Sequence, residues 1–118
     1  MNVKKYDIVL VDLNPRKWHT QSWIRPCVVI QSNLFNKYSP TVLVVPLTKV
    51  KKEVFPSEFW IYPSDKNWLE YESRFLWSQI ITVDKEFIIK KKWELEEKYY
   101  EEVFEAIKIS LDLENIYS

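Results

Sequence analysis

Arg25 is the side chain in this sequence best placed to do chemistry by charge. It stands where a polar loop meets an apolar strand, directly before Pro26, which lacks a backbone donor and holds the local chain stiff. A guanidinium fixed there can present its planar fork of donors to a phosphate; the plainer reading is a surface arginine at a strand start. Thr48 closes a later apolar segment just before Lys49, Lys51 and Lys52, so its hydroxyl is expected near the same mouth. His19, the one histidine, lies in the loop before Arg25. Imidazole has a reference pKa of about 6.5, which makes His19 the candidate acid or base; the plainer reading is an exposed loop residue. The single cysteine, Cys27, sits in the apolar run 26–30 and reads as a small buried hydrophobe, not a nucleophile. One cysteine cannot form an internal disulfide, which fits a reducing cytoplasm.

Composition removes most other chemistries. One histidine and one cysteine make no zinc cluster, and no glycine occurs at all, so there is neither a P-loop nor a dinucleotide fingerprint. The C-terminal glutamates lack the alternating spacing of a calcium loop, and no serine sits in a nucleophile elbow. No cofactor and no metal are therefore expected. What remains is stabilisation of developing charge by fixed cations and hydrogen-bond donors. The 17 basic residues balance the 17 acidic ones. A zero net charge argues against a protein that coats duplex DNA through phosphate contacts alone, because such proteins are usually basic. The charge is uneven: lysines gather at 49–52 and 90–92, glutamates at 94–105. A solvated helix face is the simplest account of the glutamates.

The elements that must position these groups follow from periodicity. The 118 residues allow a single domain, 1–118, and no apolar run approaches the length needed to span a bilayer. Asp7 to Leu13 and Arg25 to Gln31 are short, β-branched core strands joined by a long loop that Asn14-Pro15 opens. Ser32 can cap a short helical turn through Leu34 and Phe35. Thr41 to Leu47 is a third strand, in which Pro46 points to an edge or a bulge. Glu58 to Tyr62 and Arg74 to Val83 supply further strands, around a turn carrying Pro63, Asp65 and Asn67. Asp84 can cap a short helix through Glu86 to Ile89. Leu95, Tyr99, Val103, Ala106, Ile107 and Ser110 then keep helical spacing, which predicts an amphipathic helix from Glu94 to about Leu113. Strands followed by one long helix indicate a small barrel with a helix packed on it.

The blocks Asp7 to Pro15 (DIVLVDLNP) and Ile24 to Gln31 (IRPCVVIQ) open a longer pattern. Asn33 to Val42 (NLFNKYSPTV), Val45 to Thr48 (VPLT), Gln79-Ile80 with Thr82 to Lys85, and Glu105 to Leu111 (EAIKISL) continue it in order over nearly the whole chain. Together they resemble the MazF/PemK ribonuclease toxins. The resemblance implies a mainly β (α+β) fold: an SH3-like small β-barrel with short helices and a C-terminal amphipathic helix. It also implies a cytoplasmic homodimer, metal-independent and sequence-specific cleavage of single-stranded RNA or mRNA, and a cognate MazE-like antitoxin. Arg25 and Thr48 match the family's catalytic arginine and threonine. Gln21 and Gln79, the latter beside Ser78, match positions lining its RNA groove. The alternatives are a weakened or inactive barrel kept as an antitoxin-binding or regulatory module, and a gyrase poison of the same fold; the Arg25/Thr48 pair favours the nuclease.

The departures concern glycine. Average usage predicts roughly eight glycines in a chain this long, yet Tyr6, Trp18, Trp23, Trp93 and Asp112, with Trp68 beside them, stand where the family has glycine. Trp18 and Trp23 either stack on unpaired bases or are replacements at former glycines, as a recoded or misread gene would give. Where φ must be positive, a tryptophan is strained by about 1 kcal/mol or more, so a stiffer loop and lower activity are expected. Ser78 also replaces an acid, and Ile81 an arginine, that are frequent in the family.

Overall fold

The structure is a computed structural model and describes residues 2–13, 24–49, 59–76 and 79–115, apart from the side chains of Lys91 and Lys92. The elements are β1 (Asp7–Asp12), β2 (Ile24–Val29), α1 (Asn33–Tyr38), β3 (Thr41–Thr48), β4 (Trp60–Ile61), β5 (Ser73–Phe75), β6 (Ile81–Asp84), β7 (Ile88–Glu94) and α2 (Tyr100–Leu111). The strands run in the order β4-β5-β3-β2-β1-β7, with β6 also paired to β3, and every described pairing is antiparallel. This is the small, mainly β, barrel-like α+β fold that the sequence indicates.

Both faces of the sheet are covered, which explains why β1 to β3 read as nearly continuous apolar runs. On one face Ile8, Val28, Val45, Leu47 and Phe75 pack with Leu95, Tyr99, Val103 and Ala106, the last two from α2. The other carries a second cluster built from Val9, Val11, Cys27, Val29, Val42, Val44 and Ile88. Alternate residues of each strand thus enter different cores, and a one-residue slip would exchange the two sets.

Ser32 caps α1 as expected, its Oγ accepting from the Phe35 N–H at 3.5 Å. Buried Asn36 ties the helix down: its Nδ2 donates to the Gln31 carbonyl at 2.8 Å, and Gln31 Nε2 donates back to its Oδ1 at 3.0 Å. Pro46 lies on neither an edge nor a bulge. β3 is central, and its outer neighbour changes from β6, paired with 41–44, to β5, paired with 47–48. Pro46 falls in that changeover, where its missing N–H breaks no ladder bond.

The region after Val83 differs most from the sequence reading. Arg74 to Val83 is two strands, β5 and β6, interrupted by a turn in which the Gln79 N–H donates to the Leu76 carbonyl at 2.8 Å. The helix expected through Glu86 to Ile89 is a single 3₁₀ turn, Lys85–Phe87, and Ile88 already opens β7. β7 pairs with β1 through two register shifts, Ile8↔Trp93 giving way to Val9↔Lys91, and Leu10↔Lys90 to Val11↔Ile88. Its run of lysines hides the alternation that marks a strand. The C-terminal helix begins at Tyr100, not Glu94. Glu94 still pairs with Asp7, the Leu95 N–H donates to the Tyr6 carbonyl at 2.9 Å, and Glu97–Tyr99 form a 3₁₀ turn. Leu95 and Tyr99 keep a four-residue spacing because that turn returns both to one core. Among the described residues no helix is long and apolar enough to cross a membrane.

Candidate active site

Strand register brings the predicted pair together. β2 and β3 pair Cys27↔Pro46, Val28↔Val45 and Val29↔Val44; carried two residues further, the same register sets Arg25 opposite Thr48. Opposed residues of an antiparallel pair point to one face, and Arg25 Nη1 donates to Thr48 Oγ1 at 3.5 Å, a long bond. The row extends on both sides: Val11 opposes Arg25, Arg74 opposes Thr48, and Trp60 opposes Arg74. Thr48 is buried while Arg25 is half-buried. The hydroxyl is thus held by the sheet, and the guanidinium keeps one side open.

Arg74 is the residue that the sequence reading missed. It is 5% exposed, with its guanidinium carbon 5.9 Å from the centre of the Trp60 ring. The available signal was alternation. Phe75 faces the core under α2, so its neighbour must face the other side, where a second cluster is also buried.

A cavity of about 1080 Å³ opens at the ends of β2 and β3. Because it lies where the strands stop, residues from both sheet faces line it. Arg25, Thr48 and Lys49 are joined there by Leu10, Pro26, Leu47, Trp93 and the segment 63–71. That segment is held by Asn67, which is fully buried. Asn67 Oδ1 accepts from the N–H of Ser64 at 3.0 Å and of Leu69 at 3.1 Å. Its Nδ2 donates to the Tyr62 carbonyl at 2.9 Å and to Glu96 Oε1 at 2.9 Å. With all its capacity used, Asn67 fixes a rim on which Trp68 takes φ 54.

The remaining sequence-predicted residues are scattered in what they show. Gln79 is exposed on the β5–β6 turn and is not among the residues lining the cavity. Trp18, His19, Gln21, Trp23 and Ser78 lie outside the described residues. Cys27 is 0% exposed, and burial pushes its thiol up to about 12, against a smaller opposing pull from Arg25. That is an inert core thiol.

Residues 4–111 match the family described as PemK-like, MazF-like toxin of type II toxin-antitoxin system, and the chain belongs to this family. A relative from Staphylococcus saprophyticus, named Endoribonuclease MazF, is 40% identical over 117 residues, covering 98% of this chain and 97% of the relative. A Staphylococcus epidermidis protein of the same name is 38% identical over 114 residues, covering 96% and 94%. Among solved structures, a mycobacterial endoribonuclease in complex with its cognate antitoxin superimposes with a TM-score of 0.76 at 18% identity, covering 94% of this chain and 96% of that one. A MazE–MazF structure from Deinococcus radiodurans gives 0.70 at 14% identity, covering 94% and 96%. At such identities the structural likeness concerns the fold.

Proposed function

We propose that this protein is a toxin endoribonuclease, an mRNA interferase that cuts single-stranded RNA without a metal, with Arg25 and Thr48 as its catalytic residues. The Arg25–Thr48 hydrogen bond at the head of a cavity carries this reading, in a chain whose relatives are named for RNA cleavage. The ribose 2′-oxygen attacks the adjacent phosphorus and forms the new P–O bond. The bond to the 5′-oxygen breaks, leaving a 2′,3′-cyclic phosphate and a 5′-hydroxyl end. The reaction needs in-line geometry and relief of charge on the phosphorane. Arg25 supplies the positive charge, and Thr48 aligns the guanidinium and offers its hydroxyl to a non-bridging or leaving oxygen. Neither group is a good proton carrier at neutral pH. His19, the one histidine, is the candidate to take the proton from the 2′-hydroxyl and return it to the leaving oxygen.

Gln21, Trp18, Trp23, Gln79 and Ser78 complete the proposed RNA groove. Residues 1–118 form one toxin domain that works in the cytoplasm as a homodimer, and a MazE-like antitoxin restrains it, a reading supported by the mycobacterial neighbour's complex with its cognate antitoxin and by the Deinococcus radiodurans MazE–MazF structure. Incubation with a long RNA in EDTA, followed by mapping of new ends, tests the reading. Discrete cuts bearing 5′-hydroxyl ends are expected. Arg25→Ala should slow cutting by about 100-fold or more, the cost of losing one charge-stabilising donor. Thr48→Val, which keeps the shape and removes the hydroxyl, should also slow it. RNA left intact, or cut equally well by Arg25→Ala, overturns the proposal.

A further inference from the structure

The cavity in front of Arg25 and Thr48 is larger than one phosphate requires, and part of its lining is aromatic. Tyr71 and Trp68 both line it, with 56% and 67% of their surfaces exposed. Lys49, the residue after Thr48, holds its Nζ 4.5 Å from the centre of the Tyr71 ring. Leu10, Pro26 and Leu47 add apolar lining to the same cavity. An exposed flat ring, an apolar lining and a cation beside the phosphate-handling pair suit the two halves of a nucleotide. The base finds a π-face on which to stack, and the ammonium has a phosphate within its range.

Resting on the ribonuclease reading, we propose that this cavity is a base-binding subsite for one unpaired nucleotide flanking the cut phosphodiester. Its base stacks on Tyr71 with Trp68 as the rim, and Lys49 passes from the ring to the nucleotide's phosphate. Asn67 makes the subsite pre-formed, because the segment carrying both aromatics is tied to Glu96 and the Tyr62 carbonyl before any ligand arrives. The carboxylates of Asp65 and Glu70 also line the cavity. Carboxylates accept hydrogen bonds and cannot donate them, so they meet the donors of a base edge, its ring N–H or its exocyclic amino group.

The test uses a short oligoribonucleotide carrying the mapped cut site, made uncleavable by a 2′-deoxy sugar at the attacking position, with binding read by fluorescence anisotropy. Tyr71→Ala should weaken binding roughly tenfold, the usual scale of one lost base–aromatic stack, and Tyr71→Phe should restore it. Replacing the flanking base by an abasic sugar should cost the unmodified protein a similar factor and the Tyr71→Ala protein less than about twofold. Tyr38→Ala, which removes an exposed aromatic from α1, should leave binding unchanged. The subsite is overturned if the abasic penalty at every flanking position persists undiminished in Tyr71→Ala, if no position shows a penalty, or if the strand does not bind. The ribonuclease reading fails on a different result, intact RNA or cutting that survives Arg25→Ala.

Discussion

Glycine is absent from this chain, yet the backbone still visits conformations for which glycine is the usual choice. Tyr6 at φ 74, Trp68 at φ 54 and Asp112 at φ 48 are all left-handed, and these are three of the positions where the family resemblance places glycine. What each residue does there decides whether the strain is offset. Tyr6 stacks on Tyr100 of α2 with ring centres 3.7 Å apart and packs against the core under that helix. Trp68 projects into solvent. We expect Trp68→Gly to stabilise the protein by about 0.5 kcal/mol, since relief of left-handed strain slightly exceeds the entropy that glycine adds to the unfolded chain. Tyr6→Gly should destabilise it by about 1 kcal/mol or more as the aromatic pair is lost. Urea midpoints measure both; equal shifts would show that strain alone sets these positions. A Trp68→Gly protein that gains stability and loses RNA affinity would place that strain in the service of binding. Cys27 gives a second readout at this scale. With its pKa pushed up to about 12 by burial, it should resist alkylation at pH 8 while the protein is folded and react at the ordinary thiol rate in denaturant.

Among the elements, legibility tracked whether one face or both faces of a segment are buried. β1, β2 and β3 were readable because both sheet faces are covered and the strands are apolar throughout. Arg25 and Thr48 were readable as chemistry, but their meeting depends on a register that no local pattern states. β7 was hidden: among the described residues it pairs with β1 alone, it carries Lys90, Lys91 and Lys92, and it is kinked by two register shifts. Trp93, at one of the family's glycine positions, falls beside the first of those shifts, where glycine commonly marks a bulge. The start of α2 was misread because a 3₁₀ turn preserved helical spacing at Leu95 and Tyr99. Its end is better defined. Asp112 adopts the left-handed conformation, its N–H donates to the Ile109 carbonyl at 3.2 Å, and the Leu113 N–H donates to Lys108 at 3.1 Å. This is the geometry of a glycine-terminated helix. Asp112→Gly should therefore raise stability by about 0.5–1 kcal/mol. An unchanged thermal midpoint would mean that the aspartate side chain already offsets its backbone strain.

For the whole molecule the decisive quantity is charge placement against charge total. Lysines and arginines balance acids at 17 each, so no global field draws RNA to the surface, and α2 presents Glu101, Glu102 and Glu105 on its own flank. Among the described residues, the cations at the cavity mouth are Arg25 and Lys49, and the attraction is assigned to them. A protein that binds nucleic acid by broad phosphate neutralisation loses affinity steeply as salt rises, because each contact releases condensed counterions. Two contacts to single-stranded RNA predict a slope of about −1.4 in a plot of log affinity against log salt. The aromatic contribution at Tyr71 should be nearly independent of salt, since stacking releases no counterions. Tyr71→Ala should therefore lower the line without tilting it, whereas Lys49→Ala should flatten it by about 0.7. A slope several times steeper would place many more lysines on the RNA and make the surface, not the cavity, the origin of binding. If instead Tyr71→Ala changed the slope and Lys49→Ala did not, the division of labour between ring and ammonium would be wrong.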